Sequence, residues 1–295
     1  MDTQLLTAFV TVAEESSFSM AAEKLGLTQS AVSKRIALLE SQITQPLFDR
    51  IGRRVELTEA GTALIPRAKR ILQEVYDTQR FMADLRGNVS GDLRIGTSHH
   101  IGLHRLPPVL KHFTQQYPEV LLKLQFIDSE QALESILYGE FDLALITLSD
   151  AIINDTIDTI QYHSLWQDPM CFVSNKHHPL SQKDCISLAD LAIHPAILPD
   201  VNTHTTQLIQ SLFEQENLSL SLSMTTNHLD AIKMMISVGL GWSVLPETLM
   251  TKDLVRLPLN KIRPIRQLGC IFHRERSLSN AARAMLVHLR EHNSG

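Results

Sequence analysis

The segment TQSAVSK (28–34) carries a dense set of hydrogen-bonding side chains on a helical spacing. Gln29, Ser30, Ser33 and Lys34 fall opposite an apolar stripe made by Val32, Ile36, Leu39 and Ile43. Glutamine can pair bidentately with adenine, serine can bond base edges or phosphate, and lysine can read guanine or neutralise phosphate. Thr28 is placed to cap this helix. Arg50, Arg53 and Arg54 follow around Gly52, where a tip of guanidinium groups suits phosphate or narrow minor-groove contact. The chemistry on offer here is recognition of a polyanion.

A second set lies at four predicted strand-to-helix junctions: GTSHH (96–100), IDSE (127–130), PDVNTHTT (199–206) and TTNHLD (225–230). Small ligands of open α/β sheets bind at such places, where strands end and helix amides are free. All 13 histidines lie at or beyond His99, and His99, His100, His204 and His228 sit at these junctions. They could form a polar or anion site, titrate near neutrality, or simply cap and pack. There is no HExxH, and no cysteine or carboxylate stands beside them at ligand spacing, so no metal is expected. GLGWS (239–243) is neither GxSxG nor GxGxxG, and no phosphate-binding loop occurs. Neither a catalytic residue nor a cofactor is expected; GLG reads as a turn approaching a sheet closely.

The elements that must position these residues read as follows. Leu5, Leu6, Phe9 and Val12 mark a first helix. Ser17 or Ser19 caps a second, which Gly26 ends in a left-handed turn. Ala22 and Gly26 supply the small residue and tight turn of a helix-turn-helix. PLFDRIGRRVEL reads as a hairpin around Gly52. From Leu57 to Leu85, apolar or small residues recur alternately four and three apart, a heptad seam that implies a partner helix from a second copy, with Pro66 expected to bend it. Beyond a linker at RGNVSGD (86–92), strand-like runs alternate with helical stretches, which argues an α/β domain with parallel sheets.

Composition sets the limits. At 295 residues the chain has room for about two domains. It is 44% apolar and 20% charged, enough to build a core. It shows no secretory leader, and no apolar run reaches the roughly 20 residues that span a bilayer. Cys171, Cys185 and Cys270 are odd in number and widely spaced, and read as buried thiols of a reducing, cytoplasmic protein. The net charge of −5 would argue against nucleic acid, but residues 1–90 carry 11 basic and 11 acidic side chains, leaving 16 and 21 for the rest. Residues 24–54 hold six basic side chains against Glu40 and Asp49, and that local excess says more than the total.

The chain resembles the LysR-type transcriptional regulators, most densely from Phe9 to Gly61 and then through LRIGTSHHIGLHRLP, YPEV, GEFDLAL, HPL and VGLGWSVLP. The resemblance implies an N-terminal all-α winged helix-turn-helix (1–57), a dimerising linker helix (58–86) and an α/β effector-binding domain (87–295). It further implies that the last is two-lobed and like periplasmic binding proteins, with lobe I at about 91–164 and 266–295 and lobe II at about 165–265. Carried over, Gln29, Ser30, Ser33 and Lys34 are the groove-reading positions and Arg53 the wing contact; Ser30 departs from the proline common there. Ser98, His100, Ser129, Thr203 and Asn227 fall nearest the effector contacts, with Thr147 facing the cleft and His99 and His204 beside it. A lining of hydroxyls, amide, imidazole and helix amides without Lys or Arg would favour a small polar or anionic metabolite. The implied partners are double-stranded promoter DNA, that effector, copies of the chain as homodimer and homotetramer, and RNA polymerase, with no membrane.

Overall fold

The computed structural model describes residues 2–51, 54–85, 87–149, 159–259 and 262–292. It divides into two compact units, residues 1–88 with 138–140, and residues 89–137 with 141–295.

The first unit is built on three short helices, α1 (Thr3–Glu15), α2 (Phe18–Leu25) and α3 (Gln29–Ile43), a hairpin of β1 (Phe48–Ile51) and β2 (Arg54–Leu57), and the long α4 (Glu59–Asp84). Ser17, not Ser19, caps α2 through the amide of Met20. Gly26 ends α2 at φ 64°, and the amide of Leu27 returns to the carbonyl of Ala22 at 2.9 Å. Leu6, Phe9, Val12, Val32, Ile36 and Leu39 form the core, and Ala8, Ala21 and Ala22 are buried where the helices pack.

The seam on α4 is not continuous. Its N-terminal half turns inward: Ala68 is fully buried in the same core, and Leu64 packs against it. A Cβ on Gly61 would stand 2.2 Å from the carbonyl oxygen of Leu47, so this glycine is required for close packing rather than being a weak contact toward a partner. Ile71, Val75, Met82 and Leu85 are exposed. The helix runs through Pro66.

The second unit contains β3 (Gly91–Thr97), α5 (His99–His104), α6 (Leu106–Gln116), β4 (Val120–Phe126), α7 (Ser129–Leu137), β5 (Leu143–Leu148) and β6 (Ile160–Asn175). These are followed by α8 (Leu188–Ala192), β7 (Ala196–Leu198), α9 (His204–Gln215), β8 (Leu222–Thr225), α10 (Leu229–Ser237), β9 (Trp242–Pro246), β10 (Leu254–Arg256), β11 (Ile265–His273) and α11 (Asn280–Glu291). The strand order is β4-β3-β5-β11-β6-β9-β7-β8, with β10 also on β6. The all-parallel expectation is corrected: β3 pairs parallel with β4 and β5, and β7 with β8 and β9, but every pairing of β6 and β11 is antiparallel. Two long strands that cross from one lobe to the other must run in opposite senses, because the chain leaves on one and returns on the other.

Each lobe covers its sheet on both faces. In lobe I, Leu106, Val109 and Phe113 of α6 and Ala282, Met285 and Leu289 of α11 pack on one face, and Ala132 and Ile136 of α7 on the other. In lobe II, α8 and α9 lie in one core around Trp242, and Ile232 and Ile236 of α10 in another. The Trp242 ring stacks on Phe213 at 5.9 Å, and its Nε1 donates to the carbonyls of Leu191 and His194. A Cβ on Gly241 would meet the carbonyl oxygen of Pro195 at 2.2 Å, whereas Gly239 has open space around it and takes φ 90°. Cys171 and Cys270 are buried, burial pushing the Cys171 thiol up to about 11, whereas Cys185 is exposed, contrary to expectation.

The lobes meet where Asp168 of β6 stands opposite Arg266 of β11. The Asp168 side chain is wholly buried and receives Arg266 Nη2 at 2.6 Å and Nε at 3.2 Å. Arg266 Nη1 donates to Thr205 Oγ1 at 3.0 Å, and His100 Nε2 and Arg105 Nη2 each lie 3.5 Å from Asp168 Oδ1. Burial alone would raise this carboxyl, but His100 and Arg266 outweigh it and hold Asp168 at about 2. A depressed carboxylate stabilises the fold above its unfolded pKa, near 3.9, and loses that contribution as pH falls through about 2. Asp168→Asn is expected to cost about 3–5 kcal/mol at neutral pH, because Arg266 is left buried and unpaired. The same substitution should flatten the acid limb between about pH 4 and 2. Urea unfolding followed by tryptophan fluorescence reads this unit alone, since both tryptophans, Trp166 and Trp242, lie in it. A variant with the wild-type midpoint and acid limb would show that the pair does not carry the junction.

Candidate functional site

All eight residues expected to contact an effector, Ser98, His99, His100, Ser129, Thr147, Thr203, His204 and Asn227, line one cavity of about 60 Å³ in the second unit. Ser98, His99 and His100 open α5 after β3, Ser129 opens α7 after β4, and Thr147 lies on β5. Thr203 and His204 come from the other lobe at the start of α9, and Asn227 from the loop after β8. The cavity has room for about four to six water-sized groups.

Their hydrogen bonds separate supports from available groups. The Ser129 hydroxyl accepts from the amide of Thr147 at 3.2 Å. Thr203 Oγ1 donates to the carbonyl of Asp200 at 2.7 Å and caps the amide of Thr206 at 3.3 Å. Asn227 is a bridge: its Oδ1 accepts from the amide of Asp200, and its Nδ2 donates to Asp128 Oδ2 across the lobes, both at 2.9 Å. Ser98, at the N-cap of α5, makes no capping bond with its side chain. His100 is 7% exposed, and its Nε2 faces Asp168 Oδ1 at 3.5 Å, a long contact. Burial holds its pKa below the ordinary value against the pull of Asp168.

The His99 ring stacks on Phe126 at 4.7 Å and meets the edge of His228 from the other lobe at 4.5 Å. His104 Nε2 reaches Asp230 Oδ2 at 3.5 Å, a second polar link between lobes. No group of three or more His, Cys, Asp or Glu among the described residues could hold a metal ion.

The expectation of a lining without Lys or Arg is overturned by Arg266, which forms part of the floor. Asp128 and Glu130, the two carboxylates of the IDSE segment, also line the cavity beside the expected Ser129. Glu130 has its pKa raised, first by loss of hydration and then by the nearby Asp128 and Asp200. Arg266 and Asp168 carried no signal, since they are 98 residues apart within runs that read as ordinary strand.

In the first unit, Thr28, Gln29, Ser30 and Lys34 are exposed on α3 and Ser33 is half-buried, while Val32, Ile36 and Leu39 face the core. Thr28 Oγ1 accepts from the amide of Ala31 at 3.2 Å and lies 3.0 Å from Ser30 Oγ. Lys24, counted in the basic excess, is tied to Glu15 at 2.8 Å and to Glu14 at 3.6 Å, so its charge is locally spent. Arg35 donates to Gln4 Oε1 at 3.0 Å, which braces α3 on α1. Arg50 and Arg54 occupy strand positions of the hairpin, opposite Val55 and Ile51 respectively. Arg53 lies outside the described residues.

No helix among the described residues is long and apolar enough to cross a membrane. Residues 3–62 match the bacterial regulatory helix-turn-helix protein, lysR family, and residues 86–294 match the LysR substrate binding domain. An uncharacterized HTH-type transcriptional regulator of Azotobacter vinelandii is 63% identical over 37% of this chain and 75% of its own length. The HTH-type transcriptional activator CmpR of Synechocystis is 32% identical over 80% of this chain and 76% of its own. The crystal structure of CbnR, a LysR family transcriptional regulator, superposes with a TM-score of 0.69 at 20% identity over the full length of both chains. The regulatory domain of Synechocystis CcmR in complex with 2-PG superposes at 0.62 and 22% identity, over 70% of this chain and 99% of that one. With a helix-turn-helix unit and a two-lobed binding unit both matched, this chain belongs to the LysR family of DNA-binding, effector-responsive transcriptional regulators.

Proposed function

We propose that this protein is a cytoplasmic transcriptional regulator that reads promoter DNA through Gln29, Ser30, Ser33 and Lys34, and senses a small polar or anionic metabolite in the cleft. Thr28 seats the reading helix, and Arg50, Arg53 and Arg54 of the wing add phosphate contact. The observation that carries the sensing role is the convergence of Ser98, His99, His100, Ser129, Thr147, Thr203, His204 and Asn227 on one small cavity from both lobes. The cavity is small and lined by polar groups, which suits a small polar ligand, and CcmR, which shares the fold, takes 2-PG. The exposed Ile71, Val75 and Met82 on α4 and Leu85 at its C-cap support a homodimer in the organisation 1–57, 58–86 and 87–295, with a homotetramer as the working assembly and RNA polymerase as a further partner. The chain acts by binding, with no catalytic residue assigned.

Three outcomes test this reading. A thermal-shift screen of 2-PG, organic acids and amino acids should yield a ligand that raises the melting temperature of the full chain. Ser98→Ala should then weaken that ligand by about 1–3 kcal/mol while leaving ligand-free operator binding in place. Equal affinity in both proteins would put the ligand elsewhere.

Gln29→Ala should cost about 1–3 kcal/mol on the specific operator and little on random DNA. Gel shifts against both DNAs separate the two terms, and equal losses on each would remove Gln29 from base reading.

Ile71→Glu together with Val75→Glu should place like charges in the dimer seam and give monomers with poor operator affinity. Light scattering that returned the parental mass would show that α4 pairs through another face.

A further inference from the structure

Two prolines interrupt the pairing along β6. Beyond β10 the chain carries Pro258 and Pro264, and neither has an amide to give a neighbouring strand. The stretch is pinned at both ends. The amide of Leu257 donates to the carbonyl of Phe172 at 2.8 Å, and the amide of Met170 donates to the carbonyl of Pro264 at 2.9 Å. Eight residues (257–264) thus span the length of three (170–172), so they cannot lie flat against β6. Pro258 turns its carbonyl away instead, to the amide of Ile186 at 3.1 Å.

Between the two pins lies a cavity of about 320 Å³, about five times the volume of the cleft and without a lining residue in common with it. That volume falls in the range of small-molecule sites, about 300–1,000 Å³. Its floor is the buried Met170, Phe172 and Leu257, and the half-buried Leu259 and Ile262 pack on the same core. Two guanidinium groups complete the lining. Arg256 is bound to Glu247 at 2.7 Å, whereas Arg263 is exposed and makes no ion pair among the described residues.

We propose that this cavity is a second ligand site, for an amphipathic monocarboxylate whose apolar body lies on Met170, Phe172 and Leu257 and whose carboxylate pairs with Arg263. The floor offers apolar side chains, so a guest binds there by burying methylene or ring carbon. A sugar or a dicarboxylate would leave polar groups on that floor without partners, which disfavours it. An amine would meet two guanidinium groups. Asp168 and Arg266 each lie two residues beyond a pin, so an occupant adds apolar contacts to the strands that join the lobes.

The test is isothermal titration of the full chain with octanoate, butanoate and 1-octanol. Octanoate should bind one to one at about millimolar concentration or below. Butanoate should be weaker by about fourfold for each methylene lost. Arg263→Gln should weaken octanoate about tenfold and leave 1-octanol unchanged. Ser98→Ala should bind octanoate as wild type does, because its cleft is a separate cavity. Ile262→Glu sets a fixed carboxylate at the wall and should abolish octanoate binding; Arg263→Gln decides the matter if that variant does not fold. Equal octanoate affinity in wild type and Arg263→Gln would overturn the site. So would binding lost in Ser98→Ala but kept in Arg263→Gln, which would place the ligand in the cleft. Absence of octanoate binding by wild type would also overturn it, while leaving the reading of the cleft untouched.

Discussion

A carboxylate with no exposure fixes the geometry on which the second unit depends. Asp168 cannot stay charged without a partner, and Arg266 is delivered to it by strand register rather than by side-chain reach. Because Arg266 also holds Thr205, and His100 and Arg105 crowd the other carboxylate oxygen, one buried charge ties β6, β11, α5 and α9 together. A hydrophobic pair of the same volume could match it in stability. What it could not do is orient polar groups: the ionic pair sets the floor of the cleft and the height at which His100 and the start of α9 face each other.

The two units solve recognition in opposite ways. On α3 the side chains proposed to read DNA project from an apolar back, and Thr28 and Arg35 hold the helix while leaving Gln29 and Lys34 in solvent. The cleft instead consumes most of its polar groups internally. Ser129, Thr203 and Asn227 are already bonded, so they shape the cavity and bridge the lobes, while Ser98 makes no capping bond and retains capacity for a guest. Such a site discriminates by which internal bonds a ligand must replace, not by how many donors surround it.

Much of this was legible from spacing alone. Caps and turns are local, so Thr28, Gly26 and the hairpin around Gly52 could be read from a few residues. Strand ends could be read too, and the four junctions they mark hold seven of the eight residues that line the cavity, since a junction's position in an α/β unit fixes where its side chains gather. Which side chains face the cavity, Thr147 among them, came from the family resemblance. Long-range pairing was not legible. Nothing in the neighbourhood of Arg266 distinguishes it from a solvent-facing strand residue until β6 is laid beside it. The α4 seam misled for a related reason: a four-three spacing records that a face is apolar, not what covers it, and Gly61 and Ala68 face their own domain. The mixed sheet escaped likewise, because alternation of strand and helix does not reveal a chain that exits a lobe and returns.

That return path has a consequence for the order of folding. The core of lobe I joins Leu93 and Ile95 to Leu268, Cys270, Ala282 and Met285, residues separated by most of lobe II. It cannot close until the ribosome has delivered the last helix, and contacts of such sequence separation form slowly. The first unit draws its core from residues 5–72. During synthesis the core of the helix-turn-helix unit can thus close while lobe I still waits for its final helix, so the nascent chain holds its nucleic-acid-binding unit before it gains the means to be regulated.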